Sequence, residues 1–412
     1  MEKQTDKNPG YLVDTYKKGK LYKYGPLHVV ELHGNYRDMG RQYGALRKDV
    51  LNEIYQIISK DNSWLSFFKI KDMNDLEQLN IETYTPYPDY NEIIQGIAET
   101  SGLGNKAYVV ASIMKELYIM QQAMLNAQSQ GQCSFNAVWG DYTENSQMIV
   151  GRNYDLGPDL ANYTEIVVYN FDDGTIPVAI LGYVGSVYVT SVLNKEGVFL
   201  ELNNGEVCAH RLENSDLSWK EFLEYLQKNL FKRPEEEEKL KPDPNLELFK
   251  LAQNSANLNE LDKNFQGINT PGGIIINVAS TDGSYSYEWA PQDNKRRNPD
   301  KNGALAATNW FVNQSWGLEP VQPGSEEDMI SSWSMIRRTN ILNLNENNRG
   351  QITPKTMQEI MSTPLEEGGP FVDQGTSYQM VIKPEELKVW FKVPDHMEWT
   401  FVDLRKHFSH FK

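Results

Sequence analysis

From Cys133 to Asn203 the chain runs through short β-prone stretches separated by tight-turn signals, and this rhythm restricts the fold more than any other feature. Gln147–Asn153, Glu165–Asn170, two runs inside Ile176–Leu193, and Gly197–Asn203 are rich in β-branched and aromatic residues. Turn formers stand between them at Asp172-Asp173-Gly174 and Asn194-Lys195-Glu196-Gly197. Consecutive strands on such short connections pair antiparallel, because a parallel partner needs a crossover of about a dozen residues or more.

The rest of the chain is read around that block. Strands are expected at Gly273–Ala279 and Ser284–Trp289, a hairpin around Asp282-Gly283, and again at Ala306–Phe311, Ser377–Lys383, Leu387–Val393 and Trp399–Leu404. Helices are expected at Asp216–Phe231 and Glu247–Phe265, joined by an acidic, Pro-bearing link, and at Glu326–Leu344 and Thr356–Ser362. Pro291–Asn302 reads as a charged surface loop. Ahead of Cys133 the texture is mainly helical. A short strand at Val29–Gly34 leads into a helix opened by Asn35, whose apolar residues Met39, Tyr43, Leu46, Val50, Leu51, Ile54, Ile57 and Ile58 fall near helical spacing as far as Ser59. Glu92–Ser101 is a second helix, ended by Gly102, and Ala107–Leu125 a third. The order of elements is that of an α+β chain, it fits two antiparallel sheets packed face to face with helices outside, and no linker divides it.

Composition excludes several functions. A net charge of −16 with no basic stripe argues against nucleic acid. Only Cys133 and Cys208 are cysteines, so no disulfide framework is implied, and no Cys/His cluster has metal-ligand spacing. His407 and His410 read as part of a polar tail. Met1–Lys23 has no apolar signal-peptide core, which leaves the compartment open between cytoplasm and a mature periplasmic or secreted form. Ile176–Leu193 is the longest largely apolar run, but Pro177, Gly182 and Gly185 and its β-branched content make it two strands rather than a membrane span.

The chemistry concentrates at Gly131-Gln132-Cys133-Ser134-Phe135-Asn136-Ala137-Val138-Trp139-Gly140 and at Gly151-Arg152-Asn153-Tyr154-Asp155. A hairpin there would bring a thiol, a guanidinium and a carboxylate together, which suits covalent acyl transfer. Arg152 and Asp155 are three apart, so in a regular strand they face opposite ways. A bend is needed, and Gly157-Pro158 would allow one. Cys208 has no such context and reads as structural.

These residues resemble the N-terminal-nucleophile cysteine amidohydrolases of the choloylglycine hydrolase, penicillin V acylase and isopenicillin N acyltransferase group. The long segment before the cysteine, with Gly34–Gly44 and Gly96-Ile97-Ala98-Glu99, resembles the acyltransferase-like branch. The resemblance implies a four-layer αββα sandwich and autocatalytic cleavage between Gln132 and Cys133. Residues 1–132 would then be a helical propeptide or α-chain, and 133–412 the catalytic β-chain. The freed α-amino group of Cys133 would be the general base for its own thiol, with Arg152 steadying the thiolate and Asp155 hydrogen-bonding the amine. Asn309 matches an oxyanion-binding position, although Trp310 follows it where many relatives carry His. Asn203 or Asn204 matches a second asparagine, and Arg338 or Arg337 a late arginine. Gln132 departs from the small residue that often precedes the nucleophile.

The leading expectation is hydrolysis of a small linear amide, such as an N-acyl amino acid or acyl amine, with no metal or organic cofactor. Two alternatives stand beside it: acyl transfer to an amine acceptor, and an uncleaved, silent binding protein. A homo-oligomer is compatible with the sequence, and a Cys-His protease finds no histidine in a partner motif.

Overall fold

The computed structural model describes residues 9–60, 63–67, 69–112, 133–157, 160–213, 244–266, 272–318 and 329–409. Strands β1 (Tyr11–Tyr16), β2 (Gly19–Tyr24) and β3 (Leu27–Gly34) open the chain. Helices α1 (Tyr36–Leu46), α2 (Lys48–Lys60), α3 (Ser63–Phe67), α4 (Met73–Tyr84), α5 (Pro88–Ser101) and α6 (Lys106–Ala111) follow. Then come β4 (Ser134–Gly140), β5 (Ser146–Tyr154), β6 (Thr164–Phe171), β7 (Val178–Tyr183), β8 (Ser191–Asn194) and β9 (Phe199–Asn204). Helices α7 (Glu206–Glu213), α8 (Pro244–Gln253) and α9 (Leu258–Phe265) lead to β10 (Ile274–Ser280), β11 (Gly283–Ala290), β12 (Asp293–Arg297) and β13 (Ala304–Ala307). Helices α10 (Met329–Asn347) and α11 (Pro354–Ser362) precede β14 (Tyr378–Lys383), β15 (Lys388–Val393) and β16 (Met397–Asp403).

The strands form two sheets, one of ten in the order β1-β2-β3-β6-β7-β8-β9-β10-β11-β12 and one of six in the order β13-β4-β5-β14-β15-β16. Among the described strands every pairing is antiparallel except that of β3 with β6. Alternation along β5 shows why the sheets stack. Met148, Val150, Arg152 and Tyr154 face the large core shared with the ten-stranded sheet, while Ile149 joins an outer cluster with Met357, Ile360 and Met361 of α11. Gly151 faces the same outer helix, and a Cβ there would lie 2.6 Å from Met361 Cγ. On the far side α8 packs on β7, β8 and β9, so helices cover both outer faces and the fold is α+β in four layers.

Local sequence explains the element ends. Asn35 caps α1 by accepting from Asp38 N, Pro88 starts α5, and Gly102 ends it at φ 81°, in the left-handed region. Helices α1 and α5 cross in close contact because Gly40 and Gly96 carry no side chain. A Cβ on Gly40 would lie 2.1 Å from Ile93 O, and one on Gly96 2.3 Å from Arg37 O.

Several expectations are corrected. The leading segment supplies three strands as well as helices, and β1 and β2, ahead of the strand expected at Val29–Gly34, were not anticipated. The helix expected from Asn35 to Ser59 breaks at Arg47, whose guanidinium turns in to pair with buried Glu165 at 2.9 Å. The helix expected at 247–265 is two, because Asn257 caps a new start by accepting from Glu260 N. The loop expected at 291–302 contains β12, an edge strand of charged residues, a composition that discourages further pairing. His407 is buried against Tyr24, at 2.8 Å from its hydroxyl, rather than lying in a polar tail. The helix expected at Asp216–Phe231, most of Ala107–Leu125, and Gly131, Gln132, Pro158 and His410 lie outside the described residues. Among the described residues no helix is long and apolar enough to cross a membrane.

Candidate active site

Cys133 stands immediately before β4, and its thiol is buried between the two sheets. β4 pairs with β5 so that Phe135 lies opposite Arg152 and Ser134 opposite Asn153, which sets the guanidinium under the start of β4. Arg152 Nη2 lies 4.0 Å from Cys133 Sγ and donates to Leu202 O at 2.9 Å. Strand β5 ends at Tyr154, so Asp155 leaves the alternation that would have turned it away from Arg152. Gly157, at φ 86°, sits two residues on.

The opposite wall comes from the ten-stranded sheet. Asn203, at the inner end of β9, faces Arg152 Nη1 at 3.4 Å and donates to Thr308 O at 3.1 Å. Asn204 is turned outward, where its Oδ1 accepts from Glu206 N at the start of α7. The open register between these two asparagines therefore resolves to Asn203 for the side chain that enters the cluster. The backbone oxygen of Asn204 contributes instead, accepting from Asn309 Nδ2 at 2.9 Å.

Asn309 follows β13 and joins the two halves. Its Oδ1 accepts from Cys133 N at 2.7 Å and from Arg337 Nη2 at 3.2 Å. Two donors on one atom fix the amide orientation, since the flipped form would set N–H against N–H. Arg337 Nη1 also donates to Asp155 Oδ2 at 2.9 Å, and Thr376 Oγ1 donates to Asp155 Oδ1 at 2.7 Å. The Cys133 nitrogen is thus held by Asn309, and the Asp155 carboxylate connects to it one step away through Arg337.

Arg337 and Arg338 are neighbours on α10, about 100° apart around the helix, so only one can enter the cluster. That one is Arg337, fully buried; Arg338 pairs with Asp300 outside it. The expectation for Arg338 at the site is corrected on this ground.

One residue was missed. Glu201, fully buried on β9, forms an ion pair with Arg152 and accepts from Asn277 Nδ2. The signal was an acid between Leu200 and Leu202, in a strand whose neighbours are apolar on both sides.

Burial dominates the electrostatics. It pushes the Cys133 thiol above its ordinary value of 9.0, against the pull of Arg152. Arg337 adds to that pull without reversing the direction. Burial also pushes Asp155 up to about 6, opposed by Arg337 and Thr376, and pulls Arg337 down. Chemically the cluster offers a thiol, a nitrogen on the same residue held by an amide oxygen, two asparagine amides, and two arginines with carboxylate partners. Among the described residues no three His, Cys, Asp or Glu side chains converge as a metal site would need.

A scan against protein-family models finds no match to the chain, and a search of curated proteins finds none. Among solved structures, the chain is similar to the Caenorhabditis elegans ortholog of N-acylethanolamine-hydrolyzing acid amidase, at 20% identity and TM-score 0.42 over 64% of this chain and 95% of that one. It is also similar to a mutant conjugated bile acid hydrolase from Clostridium perfringens, at 11% identity and TM-score 0.43 over 66% and 93%. A third is penicillin V acylase from Agrobacterium tumefaciens, at 13% identity and TM-score 0.42 over 66% and 87%.

Proposed function

We propose that the chain is a cysteine N-terminal-nucleophile hydrolase that cleaves small linear amides after cutting itself between Gln132 and Cys133. The observation that carries this reading is the convergence on one residue: Cys133 N lies 2.7 Å from Asn309 Oδ1 while its Sγ lies 4.0 Å from Arg152. A nitrogen held that way becomes useful to catalysis once it is an amine.

In the activating step the Cys133 thiol adds to the Gln132 carbonyl, and the acyl group passes from nitrogen to sulfur. Water then hydrolyses the thioester, leaving a Gln132 carboxylate and a free α-amino group. A free α-amine titrates near pH 8, so at neutrality a useful share is unprotonated. It takes the thiol proton that burial holds on Cys133. The thiolate attacks the substrate carbonyl, and the amide nitrogens of Asn309 and Asn203 are the donors available to the oxyanion. The intermediate collapses to a thioester on Cys133, the leaving amine takes the proton from the α-ammonium, and water, deprotonated by the same amine, releases the acid. Arg152, held by Glu201, keeps positive charge beside the sulfur throughout.

The test is turnover on a panel of N-acyl amino acids and N-acyl amines, each run with and without hydroxylamine as a competing acceptor. Release of the acid in both conditions supports the hydrolase. Acyl hydroxamate formed in preference to acid supports the transferase, and no turnover of any amide by cleaved protein removes the enzyme reading.

A further inference from the structure

Residues 308–313, which carry Asn309, follow β13 and lie outside any strand or helix, so sheet bonds do not fix their place. Side chains grip both flanks instead. Ahead of Asn309, Ala306 N donates to Asp300 Oδ2 at 2.8 Å, and Ala306 O accepts from Arg297 Nη2 at 2.9 Å. Beyond it, Val312 N donates to Glu288 Oε1 at 2.8 Å and Asn313 N donates to Glu288 Oε2 at 3.1 Å. The two grips are one structure. Arg297 Nη1 meets Asp300 Oδ1 at 2.9 Å, and Arg297 Nε lies 3.5 Å from Glu288 Oε1. Arg338 closes on the same Asp300 oxygen, from the residue next to Arg337 on α10. The side chains are largely out of solvent, Glu288 at 1%, Arg297 at 9%, Asp300 at 10% and Arg338 at 16% exposed.

We infer that Glu288, Arg297, Asp300 and Arg338 form an ion ladder of positioning residues that sets Asn309 and Arg337 against Cys133. This rests on the acyl-transfer reading of the site. Alternating charge, carboxylate, guanidinium, carboxylate, guanidinium, lets each buried group neutralise its neighbour, and the spare acceptor capacity goes to backbone N–H groups of the Asn309 segment. None of the four touches the cysteine. Their effect passes through the asparagine, whose displacement by a fraction of an ångström weakens every bond it makes in the reaction.

The experiment is a double-mutant cycle between Asp300→Asn and Asn309→Ala in the full chain, with kcat normalised to active sites counted by the acyl-enzyme burst. Alone, Asp300→Asn is expected to lower normalised kcat about tenfold with KM held within about twofold. In the Asn309→Ala background the same change is expected to cost less than about twofold. An undiminished loss in that background, or a normalised kcat equal to that of the native sequence with only thermal stability lowered, overturns the ladder. Asn309→Ala with full turnover overturns the reading of the site itself, a separate outcome. Where Asp300→Asn does not fold, Arg338→Lys at the more exposed end serves in its place under the same criteria.

Discussion

Cys133 and Asp155 make the sharpest claims at the scale of single residues. Cys133→Ala removes the thiol that both cuts the chain and attacks the substrate, so self-cleavage and amide turnover are both expected to be undetectable. A residual rate within about tenfold of the native sequence would remove the thiol from the mechanism. Asp155 sets a pH dependence. Burial raises it from 3.8 to about 6, so between those values the folded chain keeps a proton that the unfolded chain has released. The contribution of Asp155 to stability is therefore expected to fall as pH rises through that window, the reverse of a carboxylate stabilised by its ion pair, and is read as the difference between the native sequence and Asp155→Asn. Activity should rise over the same window, as the ionised carboxylate comes to hold Arg337 against Asn309. Asp155→Asn should flatten that limb at a lower rate, measured as kcat/KM between pH 4 and pH 8, roughly the range around these pKa values. A limb unchanged in the variant would assign it to another group. What the sequence could say at this scale was residue type and spacing. Cys133, Arg152 and Asp155 were legible as one constellation, but the choices between Asn203 and Asn204 and between Arg337 and Arg338 depended on strand and helix rotation, which tertiary packing sets.

Helix crossings and strand ends carry the site at the next scale. Gly40 and Gly96 let α1 and α5 approach until backbone meets backbone, and α5 in turn donates the Tyr90 hydroxyl to Leu246 O of α8. Gly96→Val is expected to destabilise the protein by about 1–3 kcal/mol, read as a lower urea midpoint, because the inserted carbons meet main chain that cannot yield. A midpoint unchanged from the native sequence would show that the helices separate without loss. Most element types from β4 onward were legible, because alternation and turn residues agree there. The breaks at Arg47 and Asn257 were not. Periodicity runs through both, and what interrupts it is a buried ion pair with Glu165 in one case and a side-chain cap in the other. β1 and β2 were missed for a related reason. Their Lys and Tyr residues lie at a sheet edge, with β1 exposed along most of its length, and they show little of a core strand's apolar signal.

Taken as a whole, the molecule ties its leading segment into the sheet that faces the cysteine. β3 pairs with β6 from His28–Glu165 to Gly34–Phe171, and the main core draws residues from both sides of Cys133. Cleavage between Gln132 and Cys133 would leave those contacts in place. Fragments 1–132 and 133–412 are therefore expected to elute together on native size exclusion and to part only in denaturant. A 133–412 fragment that elutes alone and remains active would show the leading segment to be dispensable. The large-scale plan, two sheets with helices outside, followed from the resemblance, which the order of elements fits. The single parallel junction did not, since β3 and β6 are far apart in the chain and no local pattern records a long-range register.

The most direct test of the central claim is the intact mass of the purified, denatured protein beside its Cys133→Ala variant. Two fragments meeting between Gln132 and Cys133 in the native sequence, with a single chain in the variant, are expected. One uncut chain in both samples, or a cut elsewhere that persists in the variant, would contradict an N-terminal nucleophile at Cys133.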